Sequence, residues 1–405
     1  MKRLLAIAAA IIMLISAGTA PAAAQERPDT VVSLVTIYPG SDIYELEGHS
    51  ALRLRMPGGA DIAVNFGLFD FDSPNFVYRF VSGQTDYMAG AMPWQPFLDS
   101  YRRQGRRVIE QELDLDSTQK ARLIELTAEN LRPENRTYRY NYVLDNCATR
   151  PLRLIELAVG DSITLGPGPD EAQSSLPVTF RNSMRRYHRN YPWYQFGIDL
   201  ALGSGIDRQI SRREESFAPA TLAAQMASAT AGGRRLVGAT NVLADFSEDN
   251  AVLAPTPWYL TPEAVFTIIL LLGAALSIAS LRRRAYGTLS RVFDTVFFGV
   301  LGLTGCVLTF LIFVSVHEAT SPNWLYVWLN PLCLIPAIFL WLKKGKCVLI
   351  CYQIINFAVL LIFVAVWPFL PQSANPAFLP VILTEMLRSA TYVRLTATAS
   401  RRNKR

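Results

Sequence analysis

Histidine and cysteine are scarce in this chain, and their scarcity excludes much before any motif is read. Only three histidines occur in 405 residues. They stand at positions 49, 188 and 317, too far apart for zinc-ligand spacing, and "HEAT" at 317–320 lacks the second histidine of a helical metal motif. No metal and no cofactor are therefore expected. A phosphate-binding glycine loop is missing, as is any internal repeat of solenoid period. Of the five cysteines, Cys306, Cys333, Cys347 and Cys351 lie in the apolar C-terminal third, where small polarizable thiols pack well. Cys147 stands alone before it, which rules out an intrachain structural disulfide there.

Charge is also thin. Charged residues make up 18% of the chain against 51% hydrophobic, too apolar for a wholly soluble protein of this length. The opening "MKRLLAIAAAIIMLISAGTAPAAAQE" places Lys2 and Arg3 before an apolar stretch and small residues ending at Ala24. This pattern predicts a secretory signal peptide over residues 1–24. From Thr261 five apolar stretches follow, near Val265 to Leu281, Val292 to Val316, Leu325 to Leu342, Val348 to Leu370 and Ala377 to Val393. Each approaches the roughly 20 residues that span a bilayer. The expected organisation is therefore residues 1–24 as signal, 25–260 as an exported domain and 261–405 as an all-α transmembrane domain of five helices.

Basic residues recur after the first, third and fifth stretches, in "LRRRAYGTLSR", "KKGK" and "RRNKR". By the positive-inside bias those ends are cytoplasmic and residues 25–260 lie outside the inner membrane. Arg282, Arg283, Arg284, Arg291, Lys343, Lys344, Lys346, Arg401, Arg402, Lys404 and Arg405 account for eleven charges. Removing eleven from the formal +6 leaves −5, so the basicity reports topology and not nucleic acid. "RRYHRNY" at 185–191 reads as a local basic-aromatic surface, solvated or facing lipid headgroups.

Cys147 carries the question of chemistry. After it, "ATRPLRLIELAVG" has Leu152, Ile155 and Val159 on one helical face, Pro151 early enough for a first turn, and a stop at Gly160. The sulfur thus stands at a helix N-terminus, with Asp145 and Asn146 as capping candidates. There the helix dipole favours thiolate and free N–H groups can hold an oxyanion. These residues alone leave two readings open, a nucleophile or a buried apolar filler.

A nucleophilic thiol needs a base. "EGHSALRLRMP" puts His49 at the start of a strand, and "DIAVNFGLF" follows the turn "PGGA" as its hairpin partner, which sets Asn65 beside His49. An amide there can fix the imidazole tautomer. Upstream of the cysteine, "DLDSTQKARLIELTAENL" reads as an amphipathic helix capped by Asp116 or Ser117.

"GHSALRL", "AVNFGLFDF", "PNFVYRFVSGQTDY" and "YNYVLDNCATR" resemble the motifs of the Lnb family of bacterial lipoprotein N-acyltransferases, over about residues 30 to 160. "HEATSPNWLYVWLNPL" continues the resemblance more loosely into the membrane part. The resemblance implies an α+β class, a permuted papain-like (NlpC-type) periplasmic domain followed by the five-helix membrane domain. It implies Cys147 and His49 as a catalytic pair, with Asn65 added from its strand position. It also implies an inner-membrane enzyme that takes an acyl chain from a phospholipid donor and gives it to the amine of a diacylglyceryl lipoprotein acceptor.

Three further polar residues are candidates for substrate contact. Asn146 neighbours the cysteine. His317 and Asn323 sit in a loop on the exported side, where they either meet a headgroup or the acceptor, or cap and anchor the interface beside Trp324. Glu385 and Arg388 fall on one helical face and can neutralise each other, as a pair that either locks helices together or has a substrate role. Two rival readings stand beside the transferase: a periplasmic thiol hydrolase (amidase, peptidase or lipase), and a non-enzymatic chaperone or assembly factor with an inert Cys147.

The topology is open to direct test. A reporter fused after Arg405 is expected in the cytoplasm and one inserted near Asn250 in the periplasm. Both on one side of the membrane would mean that a crossing has been miscounted.

Overall fold

The computed structural model describes residues 30–69, 72–160, 162–169, 178–246, 254–342 and 344–403. The expected signal peptide, Lys343, Lys404 and Arg405 lie outside them. The class is mixed helix and sheet, with a sheet-containing N-terminal part and a helical C-terminal part. The chain divides into two compact units, and the division is not at one point. Met1–Phe80, Gln84–Asn190 and Gln209–Ala254 form the first, while Val81–Gly83, Tyr191–Arg208 and Pro255–Arg405 form the second.

The first unit is built on a seven-stranded antiparallel sheet. Its strands are β1 (Val31–Ile37), β2 (His49–Arg55), β3 (Asp61–Leu68), β4 (Asp86–Pro93), β5 (Val108–Leu113), β6 (Thr137–Arg139) and a late strand, Val237–Ala244. A small second sheet joins β7 (Ile163–Thr164), β8 (Thr230–Ala231) and β9 (Arg234–Arg235), so the late strand is β10. The order across the large sheet is β10-β5-β1-β2-β3-β4-β6. β1 lies inside it and is buried along almost its whole length, and its run "VVSLVTI" is β-branched and apolar as a strand covered on both faces requires.

Each face has its own core. Leu34, Leu52, Val64 and Phe66 point one way, under Leu123 of α3 (Ser117–Leu131), Leu152 and Ile155 of α4 (Thr149–Val159) and Leu222 of α6 (Pro219–Met226). Val35, Ile37, Ala51 and Ala63 point the other way, against Trp94, Phe97 and Leu98 of α2 (Trp94–Arg103). Two shorter helices that matter below are α1 (Phe76–Val81) and α5 (Phe180–Tyr187). The expected helix ends are found. Asp116 caps α3 in a reciprocal capping box with Gln119, and α4 stops at Gly160 in the left-handed region with φ of 76°.

In the second unit α7 (Pro262–Arg283), α8 (Thr288–Phe313) and the stretch Lys346–Phe369, which contains α9 (Lys346–Val366), are long and apolar enough to cross a membrane. The other two expected spans differ. Trp324–Phe339 is a shorter apolar stretch of brief 3-10 turns and one six-residue helix, with Pro331 opening the second turn. The last is a continuous helix, α10 (Phe378–Asn403), whose inward face holds Glu385 and Arg388, both fully buried.

These two residues do not neutralise each other. Arg388 is paired with Asp294 of α8, Nε to Oδ1 at 2.6 Å and Nη2 to Oδ2 at 3.0 Å, and donates to Ser277 Oγ of α7 at 2.9 Å. Glu385 Oε1 instead accepts from Asn356 Nδ2 of α9 at 3.0 Å. Residues three apart on a helix diverge enough around its axis to reach different neighbours, and in an apolar interior each takes the partner that best satisfies it. Arg388 thereby ties three helices together. Its replacement by alanine strands the buried Asp294 carboxylate and is expected to cost about 3–5 kcal/mol in reversible unfolding of the full chain in mixed micelles. Glu385→Gln keeps an acceptor for Asn356 and is expected to cost under about 1.5 kcal/mol in the same titration.

Candidate active site

His49 opens β2, and the register of the hairpin decides what it meets. Ala51 pairs with Asn65, so His49 and Asn65 share a face as diagonal neighbours. The His49 Nε2–H donates to Asn65 Oδ1 at 3.0 Å. This bond leaves Nδ1 as the basic nitrogen and fixes the ring plane.

Cys147 comes to the same end of the sheet from the other direction, on the segment between β6 and α4. The backbone N–H groups of Ser50 and of Cys147 itself lie near its sulfur and favour the charged form. The thiol is therefore held at the peptide unit that joins His49 to Ser50. Gly67, where the β3–β4 register slips, lies beside it: φ is +83°, and a Cβ there would stand in ordinary contact with Tyr140 at 3.5 Å and the Cys147 Cβ at 3.7 Å. A side chain at this position would be strained by the backbone angle alone.

The turn before α4 is built by Asn146. Its Oδ1 accepts from Ala148 N at 2.8 Å and Thr149 N at 3.0 Å, and its Nδ2 donates to Tyr142 O and Phe217 O at 2.8 and 2.9 Å. Asp145 takes Arg150 in a two-bond pair at 2.6 and 2.8 Å. Asn146 thus caps the helix and is itself buried. The first-turn N–H groups that could have held an oxyanion are occupied by this cap, and the donors directed at the sulfur are those of Ser50 and Cys147.

The electrostatics depart from the thiolate expected at a helix N-terminus. Burial pushes the Cys147 thiol up to about 11; the two backbone N–H bonds oppose this and the nearby Glu47 carboxylate adds to it. Burial likewise lowers His49 to about 4, against the Asn65 hydrogen bond and with a further push from the Arg106 guanidinium. At neutral pH the resting pair is thiol and neutral imidazole, not an ion pair.

Several surrounding residues carry no signal that the sequence alone would reveal. Arg106, in the loop before β5, is buried, bonds Tyr38 O through Nε at 3.0 Å and pairs with Glu45 at 2.6 Å. Glu47 accepts from the Tyr142 hydroxyl and from His188 Nε2, the latter at 3.1 Å. This corrects the reading of "RRYHRNY" as plain surface. His188, just after α5, is buried on Glu47, because a carboxylate entering β2 offers it a partner that local charge counting does not see. Tyr140 stacks on Tyr87 with ring centroids 4.1 Å apart and walls the cysteine beside Gly67.

His317 and Asn323 belong to the second unit. His317 lies against Gly83, a glycine with φ of +75°. Asn323 is buried, donates to Leu200 O at 3.0 Å and accepts from Gln372 Nε2 at 3.1 Å, tying Pro192–Ala201 to the later helices. Among the described residues no group of three or more His, Cys, Asp and Glu side chains is placed to hold a metal ion.

Comparison with known proteins accords with this division. The family model described as the Lnb N-terminal periplasmic domain matches residues 19–186, and that described as the Lnb transmembrane domain matches residues 254–400. No curated protein and no solved structure matches.

The site makes a prediction about pH. Because His49 titrates near 4 when folded and near 6.5 when unfolded, the unfolded chain binds the extra proton between those values. Stability should therefore fall as pH drops from about 6.5 to 4, and His49→Asn should remove that part of the slope. With the thiol near 11, alkylation of Cys147 by iodoacetamide should rise about tenfold per pH unit from 7 to 10. A plateau beginning below pH 8 would contradict the neutral resting pair.

Proposed function

The chain belongs to the Lnb family, and from that premise we propose that it is a membrane-bound acyltransferase that moves an acyl chain from a phospholipid to the N-terminal amine of diacylglyceryl lipoproteins. The observation that carries the reading is the thiol of Cys147 held at the peptide between Ser50 and a histidine oriented by Asn65. A half-buried thiol near the peptide of an oriented neutral imidazole suits acyl transfer, and apolar helices in the same chain suit substrates that live in a bilayer. The reading includes an inner-membrane location, five crossings, a periplasmic catalytic domain of permuted papain-like type and a cytoplasmic C-terminus.

In the first half-reaction His49 Nδ1 takes the thiol proton as the sulfur attacks the ester carbonyl of the donor. The backbone N–H groups of Ser50 and Cys147, close to the sulfur, serve as donors for the oxyanion. Collapse breaks the ester C–O bond, and the imidazolium returns its proton to the leaving alkoxide. The products are a thioester on Cys147 and a lysophospholipid. In the second half the neutral α-amine of the acceptor attacks the thioester, its proton passes to His49, and the C–S bond breaks. The thiolate recovers that proton, and the N-acylated lipoprotein leaves.

The resting state fits the need for restraint. A thiolate exposed without substrate would react with oxidants and other electrophiles in an exported compartment. With Cys147 near 11 and His49 near 4, proton transfer is coupled to attack and waits for the ester. Asn146 and Asn323 act in this reading as supports, the first through the turn that presents Cys147 and the second within the membrane domain. His317 is kept as a contact for headgroup or acceptor.

Cys147→Ala and Cys147→Ser should abolish transfer without loss of membrane insertion. His49→Ala should lower it by about 10²–10⁴-fold. Asn65→Ala removes one orienting hydrogen bond and should lower it about tenfold. In vesicles, phospholipid alone should leave acyl-enzyme that mass spectrometry finds on Cys147. A diacylglyceryl lipopeptide with a free amine should discharge it to N-acylated product and one equivalent of lysophospholipid, and the N-acetylated lipopeptide should not. Release of free fatty acid at one rate with or without lipopeptide would make the protein a thiol hydrolase instead.

A further inference from the structure

The end of the large sheet that carries His49 differs from the opposite end in what it shows to solvent. Three segments at this end display large apolar side chains: Ile43 and Tyr44 between β1 and β2, Leu68 at the end of β3 with Val77 and Tyr78 of α1, and Leu144 just before Cys147. Their exposures run from 40% to 73%. At the opposite end the turn Met56–Ala60 between β2 and β3 contains Pro57, Gly58 and Gly59, and none of its residues is an exposed large hydrophobic.

The register puts these segments together. Ile37 pairs with both His49 and Val108, Ala51 with Asn65, Asp86 with Arg139 and Ala244 with Val108. The β1–β2 loop, the β3–β4 connection, the segment leading from β6 to Cys147 and the exit of β10 therefore all leave the sheet at one end. From Ala244 the chain continues to the first apolar helix at Pro262. β10, the last strand before that helix, thus leaves the sheet at the same end as the segment that leads to Cys147.

We propose that Ile43, Tyr44, Leu68, Val77, Tyr78 and Leu144 form a lip that inserts into the outer face of the bilayer and lets an acyl chain rise to Cys147. Exposed apolar groups on three neighbouring segments are a poor surface for water and a good one for lipid. Tyrosines among them match the headgroup boundary, where an apolar ring and a hydroxyl are both solvated. The occupant is lipid because the chain carries its own membrane helices and the lip lies at the end of the sheet that carries His49. The proposal deepens the phospholipid-donor reading and rests on it.

The test separates the two. Full-length protein in phosphatidylethanolamine and phosphatidylglycerol vesicles is compared with Ile43→Asp, Val77→Asp and the double variant. Formation of acyl-enzyme is followed with the bilayer donor and with a short-chain phospholipid kept below its aggregation concentration in detergent-solubilised protein. Each single variant should slow acylation from the bilayer about tenfold and the double variant more, with the short-chain rate unchanged. Separately, a benzophenone amino acid in place of Val77 should cross-link to lipid acyl chains, a readout that needs no catalysis. Bilayer rates that match the parent chain, or cross-links to protein instead of lipid, would overturn the lip. Absence of acyl-enzyme with either donor in the parent chain, with lipid cross-links intact, would remove the donor reading and leave the lip standing as a membrane contact.

Discussion

The approach of the Ser50 backbone N–H to the Cys147 sulfur is the contact on which the site depends. It joins two segments far apart in sequence at a peptide whose other member is His49. For it to form, β2 must begin at His49, β3 must slip at Gly67, and the turn before α4 must be wound tightly by Asn146. The first two are backbone conditions, and the third is a side-chain amide binding backbone groups. The catalytic side chains are short and near the main chain, so their placement inherits the accuracy of the sheet and not that of flexible rotamers.

Burial at that contact sets its chemistry. A helix N-terminus alone would favour thiolate, yet here the low-polarity surroundings and Glu47 outweigh it, and the same surroundings keep His49 neutral. Two groups shifted apart in this way hold their proton until a substrate carbonyl makes its transfer favourable. Glu47 is in turn engaged by Tyr142 and His188, so a carboxylate close to the thiol is tied into hydrogen bonds that disperse its charge.

The second unit uses buried charge for a different purpose. Arg388 collects Asp294 and Ser277, and Glu385 takes Asn356, so polar groups on α10 meet partners from three other helices. In an apolar medium such bonds choose among packings that would otherwise be nearly equal, since apolar side chains discriminate weakly between helix neighbours. Asn323, Gln372 and Asn375 do the same around Pro192–Ala201, with Asn375 Nδ2 donating to Asp199 at 3.0 Å.

Local pattern was enough for much of this protein. The α3 and α4 ends, the β2–β3 hairpin and three of the apolar spans follow from spacings within about twenty residues, because caps, turns and amphipathic periods act over that range, while the family followed from the resemblance of whole motifs. The hairpin even placed Asn65 beside His49, since strand register is a local count. What only the tertiary structure decided are the meetings across long separations. Arg388 chose Asp294 over Glu385, His188 turned inward to Glu47, and Arg106 came to lie near enough to push His49 down. The protonation of Cys147 belongs with these. A thiol's charge depends on the dielectric and the carboxylates packed around it, and those are assembled from segments whose order in the chain says nothing of their distance in space.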